Sequence, residues 1–557
     1  MATMSLQQAY DLAVQHHRAG EFQQAETIYR QLISQQPNHA PSHYMLAVMG
    51  HQFGQSAQAL PLIDKAISLN PGSPDYHMFR GVVLVAMQRY EDAATAFGHV
   101  TILRPGDSQA YNNLGNAQRT LGRLDEAIAT YRRALELQPE FPEAYSNLSA
   151  ALKDTGRFDE ALEAASTAIA QRPGYAGAYS NLGTVLKAKG ELERAMDAYR
   201  QSVAIDPNYA DGHYNIANLH KERGELDEAA AAYGQAIALR PDFASARWNL
   251  SLVKLLRDDP DAWDAYESRW LVARTPMNRG YTQPLWDGSE LGGRTILLHA
   301  EQGLGDTIQF IRYAPMVKER GGSVAVLCQP ELSRLLSGQL GIERVVTDDA
   351  SAPPFDVHCP ILSLPRIFRT TAETIPASVP YLTPDANLVE RWRQRIAAQP
   401  AGLKVGLVWA GRPQNRGDEQ RSLELAALAP LAQVGGAEFY SLQKGEASAQ
   451  AQSPPAGMRL TDWTAELADF GETAALLANL DLVISVDTAV AHLAGAMAKP
   501  VWTLIPFSPD WRWKLGRSDT PWYSTMRLFR QQRWGDWNLA IEPLAAELRQ
   551  KTAQTGG

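Results

Sequence analysis

Apolar and polar positions recur every 34 residues through the first half of the chain. Prolines stand at Pro37, Pro71, Pro105, Pro139, Pro173, Pro207 and Pro241, and alanines at Ala25, Ala59, Ala93, Ala127, Ala161, Ala195 and Ala229. Glycines fall at Gly20, Gly54, Gly122, Gly156, Gly190 and Gly224, with Gln88 in the remaining place. A small residue recurs at Ala47, Gly81, Gly115, Ser149, Gly183, Ala217 and Ser251, and an aromatic at Tyr29, Phe97, Tyr131, Tyr199 and Tyr233. Each period predicts a helix, a turn at the glycine, a second helix, and a proline that stops it. The small residues let the paired helices approach, and the aromatic fills the space between neighbouring pairs. Repeats are expected at 6–39, 40–73, 74–107, 108–141, 142–175, 176–209 and 210–243, with a closing helix from about 244 to 256.

This period and these residue types resemble the tetratricopeptide repeat, which implies an α-solenoid wound as a right-handed superhelix, its first helices lining a concave groove. One further series stands out: Asn113, Asn147, Asn181, Asn215 and Asn249, preceded at the same position by Asp11, Met45 and Phe79. Helix propensity does not explain asparagine there. A carboxamide carries donors and an acceptor, so it suits either an extended peptide in the groove or a tether between adjacent helices. Residues 108–250 resemble the superhelix of O-linked N-acetylglucosamine transferases, and this likeness implies that the five asparagines bind an acceptor polypeptide.

From Gly292 the pattern changes to short apolar runs alternating with helical stretches. Strands are expected at Thr295–His299, Ser323–Cys328, Val345–Thr347, Lys404–Trp409, Glu438–Leu442, Leu482–Ser485 and Val501–Ile505, and helices near 305–320, 330–338, 386–398, 422–433, 471–479 and 488–497. Such alternation predicts α/β structure, with parallel sheets covered by helices on both faces. A proline-rich stretch (Pro365, Pro376, Pro380, Pro384) separates two groups. The expected division is a repeat array over 1–256, a packing segment over 257–291, a first lobe over 292–385 and a second over 386–557. A ligand would sit in the crevice at the carboxyl ends of the strands.

Three local patterns carry candidate chemistry. After the first strand comes Glu301-Gln302-Gly303-Leu304-Gly305-Asp306. Gly303 and Gly305 would allow positive φ and close backbone approach to a ligand, and Asp306 is either a helix cap or a general base facing the crevice. After Trp409, a glycine-containing loop carries Arg412, Arg416 and Arg421, whose guanidinium forks suit phosphate, with Arg421 set just before the next helix. The strand ending near Ser485 runs into Asp487-Thr488 at a helix start, with His492 one turn on. This constellation is read either as a diphosphate site or as a cap with a core histidine.

Composition narrows the classes. Lys+Arg 52 against Asp+Glu 61 leaves a net charge of -9, which excludes a globally basic nucleic-acid binder. Two cysteines cannot build a disulfide framework or a four-cysteine zinc site. Nothing approaches the ~20 apolar residues of a membrane span, so a cytoplasmic protein without membrane insertion is expected. All 13 tryptophans lie at or beyond Trp248. Trp263, Trp270 and Trp286 are expected to pack the array against the lobes. Trp511, Trp513, Trp522, Trp534 and Trp537 either stack on a ligand or pack the lobes, and Asp510 and Arg512 are donor-side candidates.

Residues 294–530 resemble the two-lobed GT-B glycosyltransferases of the heptosyltransferase type, with Rossmann-like lobes. That resemblance implies Asp306 as catalytic base and Arg421, Asp487, Thr488 and His492 at the donor diphosphate, with Gly303, Gly305 and Arg412 beside them. Ala489 stands where that family usually has glycine. The implied activity is metal-independent transfer of a sugar from a nucleotide-sugar donor, with no cofactor. Repeat arrays joined to such lobes resemble bacterial proteins implicated in glycosylating flagellin and other proteins, so the implied acceptor is a polypeptide hydroxyl. The alternatives are an inactive scaffold and a transferase acting on lipid or polysaccharide.

Overall fold

The computed structural model describes residues 4–272, 279–301, 303–413 and 417–555. They form two compact units that divide after Ile216. The first is a helical-repeat solenoid. Its paired helices follow the 34-residue period, as in Leu6–Arg18 with Phe22–Gln35 and Ser108–Thr120 with Leu124–Leu137. At the turn between paired helices Gly122 takes φ 76°, a left-handed conformation that glycine adopts without cost. Gln88, which replaces glycine in its repeat, is held there at φ 58°.

The small-residue series works by contact. A Cβ built on Gly115 would lie 2.6 Å from the Tyr131 ring, and one on Gly183 would lie 2.6 Å from the Tyr199 ring. Both tyrosines are buried. The glycine thus lets the first helix press against the ring of the second.

The second unit begins inside the last repeat. It holds helix Leu226–Leu239, the closing helix Ala244–Arg257 and two parallel sheets. The first sheet contains β1 (Thr295–His299), β2 (Ser323–Leu327), β3 (Arg344–Val346) and β4 (Val357–Pro360), in the order β3-β2-β1-β4. The second contains β5 (Leu403–Val408), β6 (Ala437–Ser441), β7 (Leu460–Asp462), β8 (Leu482–Val486), β9 (Val501–Ile505) and β10 (Met526–Arg530), in the order β10-β9-β8-β5-β6-β7. Expectation and structure differ at β4, β7 and β10, where a terminal proline, a three-residue length and interleaved arginines hide the strand pattern. They also differ in two helices. The stretch near 305–320 divides into Leu304–Phe310, a tight 3₁₀ turn and Ala314–Lys318, with Pro315 opening the last piece. The stretch 422–433 is broken as well, because Ser422 is extended (φ -83°, ψ 150°). Arg421 therefore ends a short helix, Asp418–Arg421, instead of preceding a long one.

Among the described residues, helices do not cover both faces of the first sheet. Leu297, Ala325, Leu327 and Val346 are covered by Tyr281, Ala352 and Phe355, which come from loops. The other face joins one large core running from Leu255 of the closing helix through Tyr266, β1 and β8 to Trp511 and Trp522. Within it Trp263 meets Trp511 edge-on (5.4 Å), Phe310 (6.2 Å) and Trp522 (6.5 Å), and Tyr266 meets Trp248 at 5.2 Å. Trp263 of the connecting segment thus packs the closing helix onto both lobes. Among the described residues, no helix is long and apolar enough to cross a membrane.

The glycine contacts give opposite signs for one substitution. Gly115→Ala should lower stability by about 1–3 kcal/mol through overpacking against Tyr131. Gly98→Ala, inside helix Tyr90–Leu103 with nothing within 4 Å of the new carbon, should raise it by about 0.5–1 kcal/mol. Denaturant midpoints of the two full-length variants check both signs.

Candidate active site

The chemistry gathers where β1, β5, β8 and β9 end, at the carboxyl side of both sheets. After β1, Asp306 falls in the first turn of helix Leu304–Phe310. It makes no cap bond there; its Oδ1 accepts from Arg512 Nη2. Arg512 lies after β9, so this ion pair joins the two lobes. The Arg512 guanidinium, 8% exposed, also donates through Nε to Gln309 Oε1 (2.6 Å) and through Nη1 to Asp510 Oδ1 (2.8 Å). Its plane lies over Trp511 at 4.4 Å. Burial pushes the Asp306 carboxyl above its ordinary range, against the downward pull of Arg512.

The two glycines beside Asp306 act differently from expectation. Gly303 has φ -84°, and Gly305 is likewise outside the left-handed region. Their role is room for side chains. A Cβ on Gly303 would lie 2.4 Å from Asp306 Oδ2, and one on Gly305 would lie 2.9 Å from His492 Cδ2 and 3.5 Å from the Ala489 Cα. Gly305 thereby lets helix Leu304–Phe310 touch helix Ala489–Ala496 across the crevice.

On the second lobe, Thr488 is the N-cap of helix Ala489–Ala496, yet its hydroxyl bonds Ser485 Oγ (3.0 Å) instead of capping. Asp487 precedes it, and burial, then the neighbouring Asp510, raise its pKa. His492 is buried, with Nδ1 2.9 Å from the Tyr523 hydroxyl, its ring stacked on Trp513 and Nε2 3.9 Å from Asp487 Oδ1. Burial, with Arg512, Arg312 and Arg421 nearby, drives its pKa well below the usual imidazole value, so it is neutral at pH 7.

Arg421 is oriented by Asp418, a buried carboxylate that accepts from its Nε (3.0 Å) and from Ser422 Oγ (2.8 Å). Gly411 permits this, since a Cβ there would lie 2.1 Å from Asp418 Oδ1. The positive charge of Arg421 is felt at Asp306, Asp487 and His492 alike, which places all four in one crevice. Arg412 is exposed and makes no ion pair among the described residues. Arg416 and Gln302 lie outside them.

Several residues in this network carry no signal in the sequence. Arg269, 5% exposed, holds Glu301 through two bonds of 2.9 Å and Glu267 at 2.7 Å. This ties the segment before β1 to the loop that follows it. Gln309 and Asp418 leave no trace because neither belongs to a spaced pattern. Of the tryptophans after β9, Trp511, Trp513 and Trp522 are buried packing residues, and Trp534, at 40% exposure, is not.

The asparagine series makes tethers. Asn147 Nδ2 donates to Asn112 Oδ1 (2.9 Å), Asn181 Nδ2 to Ser146 Oγ (2.8 Å) and Asn215 Nδ2 to Ser180 Oγ (2.9 Å), each reaching the first helix of the preceding repeat. Asn113 Nδ2 finds only the Met78 sulfur, at 3.5 Å, and Asn249 donates to Asn218 Oδ1 (2.9 Å). All five asparagines remain half-buried.

Known proteins match both parts of the chain. Residues 442–536 match the family described as glycosyltransferase family 9 (heptosyltransferase). That segment includes Asp487, Thr488, His492, Asp510 and Arg512 but not Asp306 or Arg421. Residues 115–156, 183–222 and 217–256 match the TPR repeat, and 16–83 a second tetratricopeptide-repeat family. Protein FlbA of Caulobacter vibrioides is 28% identical over 312 residues, covering 52% of this chain and 52% of its own. The chain thus spans about half the length of the curated relative it matches. Among solved structures, a thermophilic repeat protein of Thermus thermophilus, TTC0263, is 26% identical over 33% of this chain and 100% of its own, with TM-score 0.31. A tetratricopeptide-repeat protein of Parabacteroides merdae is 16% identical over 44% and 98%, with TM-score 0.42. The chain thus carries tetratricopeptide repeats followed by an α/β region of two parallel sheets, consistent with GT-B lobes, whose residues 442–536 match glycosyltransferase family 9 (heptosyltransferase).

Proposed function

We propose that the chain transfers a sugar from a nucleotide-sugar donor to a serine or threonine hydroxyl of a polypeptide. The observation that carries this reading is the bond of Asp306 to Arg512, with the charges of Arg512 and Arg421 felt at both Asp306 and Asp487, at the strand ends of the two lobes. In the reaction Asp306 takes the acceptor hydroxyl proton. The acceptor oxygen then bonds the anomeric carbon as the bond from that carbon to the diphosphate breaks. The leaving nucleoside diphosphate takes the electron pair. Arg421, Arg512 and the N–H groups opening helix Ala489–Ala496 face the charge that develops on it. Gly303 and Gly305 keep Asp306 and His492 in place beside the donor, and Arg412, on the loop after β5, is available to an outlying phosphate or sugar group. The array supplies the acceptor, with the asparagine carboxamides on the groove side. Flagellin, to which the sequence resemblance points, is the first acceptor to test.

One observation favours a second reading. The amide nitrogens of Asn147, Asn181 and Asn215 are already committed to the preceding repeat. An array held together in this way could serve assembly alone, with a lipid or polysaccharide as acceptor.

Three measurements test these roles. Asp306→Asn should cut transfer by roughly 10²–10⁴-fold while the nucleotide-induced thermal shift persists; turnover near wild type would remove Asp306 from the base role. Because the base must be ionised, transfer should fall as pH drops through the raised Asp306 pKa. The acid limb of the rate profile should therefore lie above the ~4 of an ordinary aspartate. Replacing Asn147, Asn181 and Asn215 together by alanine should abolish transfer to a protein while leaving slow donor hydrolysis intact. Unchanged protein transfer, with only the stability loss of about 0.5–1.5 kcal/mol per lost bond, would select the assembly reading.

A further inference from the structure

Arg421 and Arg512 are engaged to different degrees. Arg421 is bound to Asp418, and all three nitrogens of the Arg512 guanidinium are engaged, Nε by Gln309, Nη1 by Asp510 and Nη2 by Asp306. Around the Asp306–Arg512 pair stand Asp510, Asp487 and Glu301 on the acidic side and Arg421 and Arg269 on the basic side. A diphosphate entering this crevice can meet the outer nitrogens of Arg421, which among the described residues is bonded only through Nε, but it reaches Arg512 only if one of the Arg512 pairs opens. Asp418 is 6% exposed and has two further roles, holding Ser422 and closing on Gly411, so Arg421 is the harder to release. The Asp306 and Asp510 side chains are 30% and 35% exposed, so both carboxylates paired with Arg512 are open to solvent, and Asp306 is the one on the opposite lobe.

We propose that Arg512 is an exchange residue: it holds Asp306 in the empty enzyme and passes to the donor diphosphate on binding, which frees the carboxylate to act as base. This rests on the donor reading given above. The exchange is a guanidinium swing that gives up the bonds to Asp306 and Gln309, while the backbone N–H of Arg512 stays bonded to Asp510 Oδ1 (3.0 Å) and holds the main chain in place. The loop is anchored at its far end, where Lys514 Nζ bonds Asp258 and the Leu255 carbonyl at the end of the closing helix. Gln309 Nε2 is buried without a hydrogen-bond partner beside the pair, so a donor stands ready when an oxygen moves there. The arrangement keeps the base paired until a donor is present, which limits its use on water.

The pair can be read directly by thiol chemistry. Cys328 and Cys359 are the only cysteines of the sequence and both are buried, so an Asp306→Cys variant adds one reactive thiol. With Arg512 present, alkylation by iodoacetamide at pH 7 should be about tenfold faster than in the Asp306→Cys, Arg512→Gln double variant, because the guanidinium favours thiolate. Saturating inorganic pyrophosphate should slow it by about tenfold in the single variant and by much less in the double variant. In the wild-type background, Arg512→Gln should weaken pyrophosphate binding by about tenfold or more, with Arg512→Lys in between. If pyrophosphate binds, by thermal shift, yet slows both cysteine variants equally, the exchange is wrong and the donor reading stands. If pyrophosphate does not bind wild-type protein at all, both fail.

Discussion

A guanidinium withdrawn from water must be paired on every side, and Arg512 meets that demand with groups from both lobes. Leaving such a charge unpaired costs several kcal/mol, far more than an exposed ion pair gains. The lobe arrangement in which Asp306 and Gln309 reach Arg512 is therefore favoured by the same contact that positions the Asp306 carboxylate. Stability and chemistry are coupled at one side chain, and a change there acts on both.

The surroundings supply the low polarity that gives the pair its strength. The guanidinium carbon lies over the Trp511 ring, and Trp263, Tyr266, Phe310 and Trp522 pack around Trp511. These rings come from the connecting segment and from both lobes, so the core that closes the last repeat also dries the site. The onset of tryptophan at Trp248 acquires a physical reason. The repeats pack Ala, Gly and Tyr at close helix spacing, whereas the junction fills irregular space between unlike layers, where large rings remove the most surface from water.

How much of this is legible in the sequence follows from what leaves a periodic trace. The repeats are readable to within a residue or two because a small residue recurs every 34 residues where the paired helices touch, and at Gly81, Gly115 and Gly183 it meets a ring. The strands β1, β5, β8 and β9 are readable as apolar runs, and Asp306, Asp487, Thr488 and His492 are readable because they follow such runs directly. Arg512 stands out only as one residue in an aromatic tail. Its partner Asp306 is 206 positions away, and no spacing rule connects them. Arg269 and Gln309 are silent for the same reason. The helix expected over 422–433 begins only at Leu425, as a 3₁₀ turn followed by Ala429–Ala432, because Ser422 trades helical backbone for bonds to Asp418 and Gly411, a tertiary demand that overrides local propensity.

The asparagine series shows how a strong periodic signal can leave its chemistry open. First helices of successive repeats lie side by side, so a residue at one position faces a fixed position in the preceding unit, here 35 residues back. Asn147, Asn181 and Asn215 find Asn112, Ser146 and Ser180 there, each with an oxygen to accept. Asn113 finds Met78, and its contact is the poorest of the set. The series therefore begins one repeat before its partners do. Asn113 instead keeps its oxygen on its own helix, where it accepts from Gln109 Nε2 at 3.0 Å. Its amide nitrogen is therefore the one in the series that no oxygen of the preceding repeat holds, and replacing it would cost the array the least.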